Sequence, residues 1–307
     1  MNILRIFFAY AVCVVVFYIP LRVEAVIPDA GFFMPDNLKE VTLRYKTYRN
    51  LIILPVTIND SIHVNLILDT GCRNLVLFGK RFQKLFAIDS EKKVKFSGLG
   101  SGKPVFGSLS LNNKISIDKV SGTKIPVVVV PERNVFAGTM KVDGVIGYDI
   151  FIKFEVELNP NEKLITFRPA FSSALASTYQ HIPIRIEDSR PFLQSRISID
   201  KDVFAYSLMI DTGSSLGLLL KTTDDKHFND YNNNNLEVLG QGFNGMISGF
   251  KTKAKKLELE GFLLVSLPVG IIQSPWHNYA SIGMDVLKGY SIVLNYCKEY
   301  IGFKKNM

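Results

Sequence analysis

Two six-residue stretches, LILDTG at residues 66–71 and LMIDTG at 208–213, set the tightest limit on what this chain can become. In each, a run of apolar residues delivers an aspartate straight into Thr-Gly, and the two aspartates, Asp69 and Asp211, stand 142 positions apart. A carboxylate at the end of a buried strand is costly unless something pairs with it or uses it. Two of them in matching settings point to a site assembled from two halves of one chain.

The surroundings of the two aspartates repeat as well. NLIILPVTINDSIHVNLILDTG (50–71) and PFLQSRISIDKDVFAYSLMIDTG (191–213) both read strand, turn, strand, Asp-Thr-Gly. A glycine-rich turn is expected at Leu99-Gly100-Ser101-Gly102 and again at Leu239-Gly240-Gln241-Gly242, with its first glycine 31 and 29 residues beyond the respective aspartate. An apolar pair followed by glycine comes next, as Val145-Ile146-Gly147-Tyr148-Asp149 and Ser281-Ile282-Gly283-Met284-Asp285, the glycine 78 and 72 residues on. A last hairpin, EVELNPNEKLITF (155–167) and SIVLNYCKEYIGF (291–303), is expected to close each half. One Asp-Thr-Gly is weak evidence, since roughly one random chain in twenty of this length would contain it at average composition. Four features in one order at nearly one spacing make the chain a duplication.

The local patterns are those of an all-β protein. Short runs rich in β-branched and aromatic residues, such as LIILPVTI (51–58), IPVVVV (125–130) and KLITF (163–167), are bounded by Gly, Asn, Asp and Pro. Helical periodicity predicts only short helices, around 79–87 and 284–289, and Asp149 and Asp285 read as caps of short helices after their glycines.

The first residues stand apart. A basic start (MNILR), a 14-residue uncharged run (IFFAYAVCVVVFYI, 6–19), Pro20 and the small-residue site Val23-Glu24-Ala25 have the layout of a cleaved secretory signal. The run is short of the roughly 20 residues that span a bilayer, so a periplasmic or secreted protein without a membrane span in its mature chain is expected. The organisation is then a signal peptide over 1–25, an N-terminal segment over 26–39, a first lobe over 40–170 and a second over 171–307. Cys72 and Cys297 remain after the signal, too few for a disulfide framework, and no bridge is expected. The net charge of +8 comes from dispersed lysines; its densest run, KTKAKK at 251–256, reads as a solvated strand or turn, so a nucleic-acid partner is not indicated.

Two carboxylates held close together cannot both ionise cheaply and share one proton. The ionised one can act as base on a trapped water, and the protonated one can donate to a carbonyl oxygen. Thr70 and Thr212 are short hydroxyls able to bond across a lobe junction, and Gly71 and Gly213 allow the main chain to approach the carboxylates closely. Other chemistries lack their patterns. His63, His181, His227 and His277 are scattered without metal-ligand spacing, and there is no nucleophile elbow or phosphate loop. The asparagine run at 230–235 reads as a loop, and Trp276 as core packing.

On the paired D-T-G loops, each followed by a glycine-rich hairpin and an apolar-apolar-glycine motif, the chain resembles the aspartic peptidases, which include pepsin-like and retropepsin-like enzymes. The Ile146-Gly147-Tyr148-Asp149 and Ile282-Gly283-Met284-Asp285 motifs look retropepsin-like, one unit in each half. The resemblance implies a bilobed acid-protease fold of two homologous β-barrel lobes with the active site at their junction. It implies a catalytic dyad of Asp69 and Asp211 supported by Thr70, Gly71, Thr212, Gly213 and Ser214. Flap-like hairpins over about 96–110 and 237–250, with Gly100, Gly102, Gly240 and Gly242, would cover a peptide or protein substrate. No metal or cofactor is needed, and with both aspartates in one chain a monomer is expected. Three departures are visible: Cys72 follows the first D-T-G, the flap candidates carry Phe106 and Phe243 but no tyrosine, and no disulfides brace the lobes. The rival reading of the same residues is a catalytically silent bilobed binding or inhibitor protein, which would have little reason to keep two costly carboxylates.

Overall fold

A computed structural model of the chain describes residues 30–96, 98–131, 141–172, 174, 176–221, 236–272 and 280–306. The signal-like segment 1–25, the asparagine run, His227, Trp276 and His277 lie outside these residues.

The duplication appears as two closed β-rings built in one order. In the first, Leu51–Ile58, Ile62–Leu68, Gly144–Ile146, Leu75–Phe78, Val120–Val130 and Val105–Ile117 follow one another around the ring, and the last pairs back to Leu51–Ile58. In the second, the same circuit runs through Arg190–Ile199, Asp202–Asp211, Ala280–Gly283, Leu218–Lys221, Phe262–Ile272 and Gly245–Leu259, which returns to Arg190–Ile199. The mixed ladder is conserved between them. The strand leading into each aspartate runs parallel to the apolar-glycine strand, which is antiparallel to the next strand in the ring. Side-chain alternation decides the inward face. Along Gly245–Leu259, Ala254, Leu257 and Leu259 are buried while Lys251, Lys253, Lys255 and Lys256 point to water. The lysine run is therefore a strand with a solvated face.

The final hairpins do something other than close their own halves. Phe154–Asn159 and Leu164–Pro169 from the first half, and Tyr290–Asn295 and Tyr300–Lys305 from the second, join one six-stranded sheet with Val41–Arg44 and Gln180–Pro183 at its edges. The seam is the antiparallel pairing of Val156 with Leu294 and Leu158 with Ile292. Phe151 stacks on Tyr296 of the other half, while Phe167 packs on Phe154 and Phe303 on Phe262 within their own. All three are fully buried, each contributing about 2–3 kcal/mol of hydrophobic stabilisation. Across the seam, buried Glu155 accepts hydrogen bonds from the Tyr300 hydroxyl and the Asn295 amide. The lobes thus stand on a common base.

The helical expectations hold in reduced form. Lys80–Lys84 is a 3₁₀ turn, and Met284–Leu287 a single α-helical turn matched by Tyr148–Phe151 in the first half. The cap assignments are corrected. Gly147 and Gly283 occupy the N-cap positions, and no side chain caps either helix. Asp149 and Asp285 lie within the first turn, where a carboxylate favours the helix dipole; Asp285 accepts from Lys288 at 2.6 Å and from Asn50 at 3.3 Å. Among the described residues no helix is long and apolar enough to cross a membrane.

Candidate active site

Each aspartate is positioned by the two strands that meet at it. The Asp69 N–H donates to Ile146 O (2.8 Å), at the end of the parallel pairing of Leu68 with Ile146. In the second half the same ladder carries Asp211 to Gly283. The chain then turns back over the apolar-glycine motif: Tyr148 N–H donates to Cys72 O (3.0 Å) and Met284 N–H to Ser214 O (2.8 Å). A side chain on Gly147 would begin 2.1 Å from Asp69 O, and one on Gly283 2.4 Å from Leu216 O. The glycine of that motif is therefore needed for the aspartate loop to lie on it.

The two loops interlock. Thr70 Oγ1 donates to Ile210 O (2.6 Å) and accepts from Thr212 N–H (2.9 Å). Reciprocally, Thr212 Oγ1 donates to Leu68 O (2.8 Å) and accepts from Thr70 N–H (3.0 Å). Both threonines are fully buried, so four otherwise orphaned polar groups are satisfied only when the halves meet.

Above this grip the carboxylates converge. Asp69 Oδ1 accepts from Gly71 N–H (2.7 Å) and Asp211 Oδ1 from Gly213 N–H (3.0 Å). A methyl group placed on Gly71 would lie 3.0 Å from Asp69 Oδ1 and 3.5 Å from Asp211 Oδ1, and one on Gly213 would meet the Asp69 carboxylate at 2.2 Å. Both side chains are only 8% exposed. Burial pushes the Asp69 carboxyl up to about 6, against the pull of the Gly71 N–H and the Arg190 guanidinium. Burial and the neighbouring charge of Asp69 push Asp211 up to about 8, against the Gly213 N–H, Arg190 and the Ser214 N–H. Two buried carboxylates so placed can share one proton.

The dyad floors a cavity of about 550 Å³ lined from both halves, including Tyr48, Leu51, Phe96, Leu99, Arg190, Met209, Leu216 and Phe243. Of the sequence-predicted residues, Asp69, Gly71, Asp211, Gly213, Ser214, Gly240 and Gly242 line it, while Thr70 and Thr212 lie beneath and Gly100 and Gly102 above. The first flap is the hairpin of Asp89–Phe96 and Val105–Ile117, with Gly100 and Gly102 in its connection. The second is corrected by one turn. Gly240 and Gly242 belong to the strand Glu237–Gly242, and the reversal is made by Phe243-Asn244 before Gly245.

Sequence reasoning missed Asn244. It is 7% exposed; its Nδ2 donates to Gly100 O and Gly102 O (both 2.9 Å), and its Oδ1 accepts from Gly100 N–H (2.8 Å). A side chain on Gly102 would start 1.8 Å from Asn244 O, which is why the first tip is glycine-rich. The tips also cross over. Leu99 packs on the second-half cluster of Leu219, Ile247 and Ile272, and Phe243 sits 5.2 Å from Phe78 of the first half. Phe106, by contrast, is half exposed and away from the cavity. The Asn-Gly pair at 244–245 was the available turn signal, standing one residue beyond the two-residue loop it marks. Both thiols are free: Cys72 donates to Asn74 O and Cys297 to Ile152 O.

Two barrels on a shared sheet, with paired Asp-Thr-Gly loops at their junction, define the acid-protease fold. Residues 54–150 match the family model described as Aspartyl protease. Among solved structures the chain is similar to the aspartic proteinase from Irpex lacteus, at 12% identity and a TM-score of 0.57 over 87% of this chain and 97% of that one. That likeness concerns the fold. A comparison with curated proteins gave no match. Residues 54–150 thus carry the family match, and the chain as a whole has the two-lobed acid-protease fold.

Proposed function

We propose that the protein is an exported aspartic endopeptidase that hydrolyses peptide bonds with a water held between Asp69 and Asp211. The observation that carries this reading is the convergence of two buried carboxylates around one point on the floor of a cavity roofed by two hairpins. In this reading Asp69 is the ionised partner and takes a proton from water as the water oxygen attacks the peptide carbonyl carbon. Asp211 is the protonated partner and donates to the carbonyl oxygen, so a neutral gem-diol forms. In the second step the C–N bond breaks, Asp69 returns its proton to the leaving nitrogen, and a gem-diol hydroxyl reprotonates Asp211. This is the shared-proton behaviour known for aspartic-protease dyads. Thr70 and Thr212 hold the loops rigid, and Gly71, Gly213 and Ser214 hold the carboxylates. An extended peptide would lie under the hairpins, its backbone meeting Gly240 and Gly242 and its side chains alternating between the lobes. Export rests on the signal-like layout of residues 1–25.

The test is cleavage of a diverse peptide mixture between about pH 3 and 9 by the purified protein, Asp69→Asn and Asp211→Asn. We expect the parent to cut and each folded variant to lose activity by about 10²–10⁴-fold. A folded parent that cuts nothing, but binds peptides or another protease, would replace this reading with the silent binding protein.

A further inference from the structure

The two halves agree at most positions that build the dyad, and one of the places where they part company faces both aspartates. In the first half, Ile53 faces Ile67, two residues before Asp69; in the second, Phe192 faces Met209, two residues before Asp211. Counting back two residues along each strand places Leu51 and Arg190 at the same ladder position. Each directly follows a two-residue turn with positive φ at both positions, Arg49-Asn50 in one half and Asp188-Ser189 in the other. Leu51 is buried in an apolar cluster with Ile53, Ile67, Cys72 and Val76. Arg190 is three-quarters buried in the same cavity as both aspartates. Burying a guanidinium is costly without partners, and its partners are specific. Its Nε donates to Gly71 O (3.0 Å) and its Nη1 to Asp188 Oδ2 (2.6 Å). Asp188 is shared with Arg73 (3.1 Å), whose Nε also donates to Ser189 Oγ (3.1 Å). A second-half hairpin is thereby fastened to residues 71–73 of the first-half loop.

We propose that Arg190 is a positioning residue of the dyad: carried on the second lobe, it fixes the first Asp-Thr-Gly loop through Gly71 O and keeps a positive charge beside both carboxylates. The mechanical part is direct. Gly71 is the residue whose N–H holds Asp69 Oδ1, so anchoring its carbonyl anchors the peptide unit next to the one that orients the base. The electrostatic part follows from what else surrounds the pair. Cys72 on the same loop and Tyr296, whose hydroxyl is 3.5 Å from Thr70 O, are held neutral by burial, and Asp149 on the turn Tyr148–Phe151 acts on Cys72. Arg49, Arg73 and Lys95 also line the cavity, and among the described residues Arg190 is the cation that acts on both aspartates, favouring their ionised forms. The lobe that supplies the acid thus also tunes the base.

This inference rests on Asp69 and Asp211 being the reacting pair, so its test has a readout independent of turnover. The ¹³C-carboxyl signals of Asp69 and Asp211 would be titrated by NMR in the parent, Arg190→Leu, Arg190→Gln and Arg190→Lys, alongside pH profiles of kcat/KM. In Arg190→Leu, which copies the first lobe, and in Arg190→Gln, we expect both carboxyl titrations and the acid limb to move up by about one pH unit. The rate at the optimum should fall about tenfold from loss of the Gly71 anchor. Arg190→Lys should restore the limb and not the rate, because an ammonium cannot reproduce the two-armed contact. If Arg190→Leu does not fold, the Gln and Lys pair carries the same comparison. Folded neutral variants with unmoved titrations overturn the proposal. A parent that cleaves nothing while its carboxyl signals still move with Arg190 overturns the function and leaves the positioning role standing.

Discussion

The first Asp-Thr-Gly loop runs on into Cys72 and Arg73 and has the Arg190 guanidinium on its Gly71 carbonyl, whereas the second runs on into Ser214 and Ser215, and the position corresponding to Arg190 is Leu51. Beneath them the threonine grip is symmetric to within a few tenths of an ångström, each hydroxyl donating to one carbonyl and accepting from one N–H of the opposite half. The difference teaches where a duplicated site can diverge. The contacts that hold the halves together need the same residue on both sides, because each threonine completes the other. The electrostatics above the grip need the opposite, since two identical carboxylates must settle which one carries the proton.

The glycines give the sharpest way to break the symmetry. A methyl on Gly213 would stand 2.2 Å from Asp69 Cγ and 2.5 Å from both its oxygens, whereas one on Gly71 meets Asp69 Oδ1 at 3.0 Å and Asp211 Oδ1 at 3.5 Å. Gly213→Ala must therefore displace Asp69, and we expect kcat to fall by more than about 10²-fold, the cost of misplacing a reacting group by about an ångström. Gly71→Ala needs shifts of a few tenths of an ångström and should cost about tenfold. Steady-state kinetics on one peptide decide it, and a reversed order would mean that the loops are not arranged as described.

Replacing either threonine tests the symmetric layer. Thr70→Val leaves Ile210 O and Thr212 N–H without partners, and Thr212→Val leaves Leu68 O and Thr70 N–H, all buried. At about 1–3 kcal/mol for each orphaned group, both should lose roughly 3 kcal/mol in urea unfolding. The two values should agree within about 1 kcal/mol. A large disparity would show that one half folds around the other.

The carboxylates themselves should cost stability as pH rises. Their folded pKa values, about 6 and about 8, lie above the usual value of 3.8. Between about pH 4 and 8 the native state therefore binds more protons than the unfolded chain, and its stability is fully present below that window and lost through it. Asparagine cannot ionise. Asp211→Asn and Asp69→Asn should each stabilise the protein at pH 8, by a few kcal/mol at about 1.4 kcal/mol per pH unit between the folded and unfolded titrations, with no gain near pH 4. Calorimetric Tm values at pH 4 and 8 check the sign, and equal gains at both would assign the effect to packing instead.

Much of this architecture was legible because a duplication states each feature twice. The strands into Asp69 and Asp211, the grip threonines and the apolar-glycine motifs recur at matching spacings, and the structure gives each a shared reason: a ladder end, a cross-lobe bond, a loop laid on a glycine. What did not recur was not legible. Arg190 reaches Gly71 across 119 residues of sequence and has a leucine as its counterpart, so no internal comparison could single it out. Asn244 clasps a glycine-rich tip whose own sequence holds no asparagine, and the repeated LGxG pattern drew the second turn three residues too early. The closing hairpins were read correctly as hairpins, but their pairing across the seam is a contact between the halves, which local pattern does not state.

Cys72 is the smallest of the differences between the loops. It is 8% exposed, packs among Leu51, Ile67 and Val76, and its thiol donates to Asn74 O at 3.0 Å. Burial, with Asp69 nearby, raises its pKa well above the ordinary range, so it faces the dyad as a neutral group. Its counterpart Ser214 accepts from the Leu216 N–H at 3.3 Å. Cys72→Ser would exchange a weak donor for a stronger one at Asn74 O and give up some apolar contact, two terms of opposite sign and about 1 kcal/mol each. We therefore expect stability unchanged within about 1 kcal/mol, kcat/KM within about threefold, and both limbs of the pH profile in place. A loss beyond tenfold, or a shifted limb, would mean that the thiol takes part in setting the first carboxylate, and the asymmetry assigned to Arg190 would have to be divided between the two.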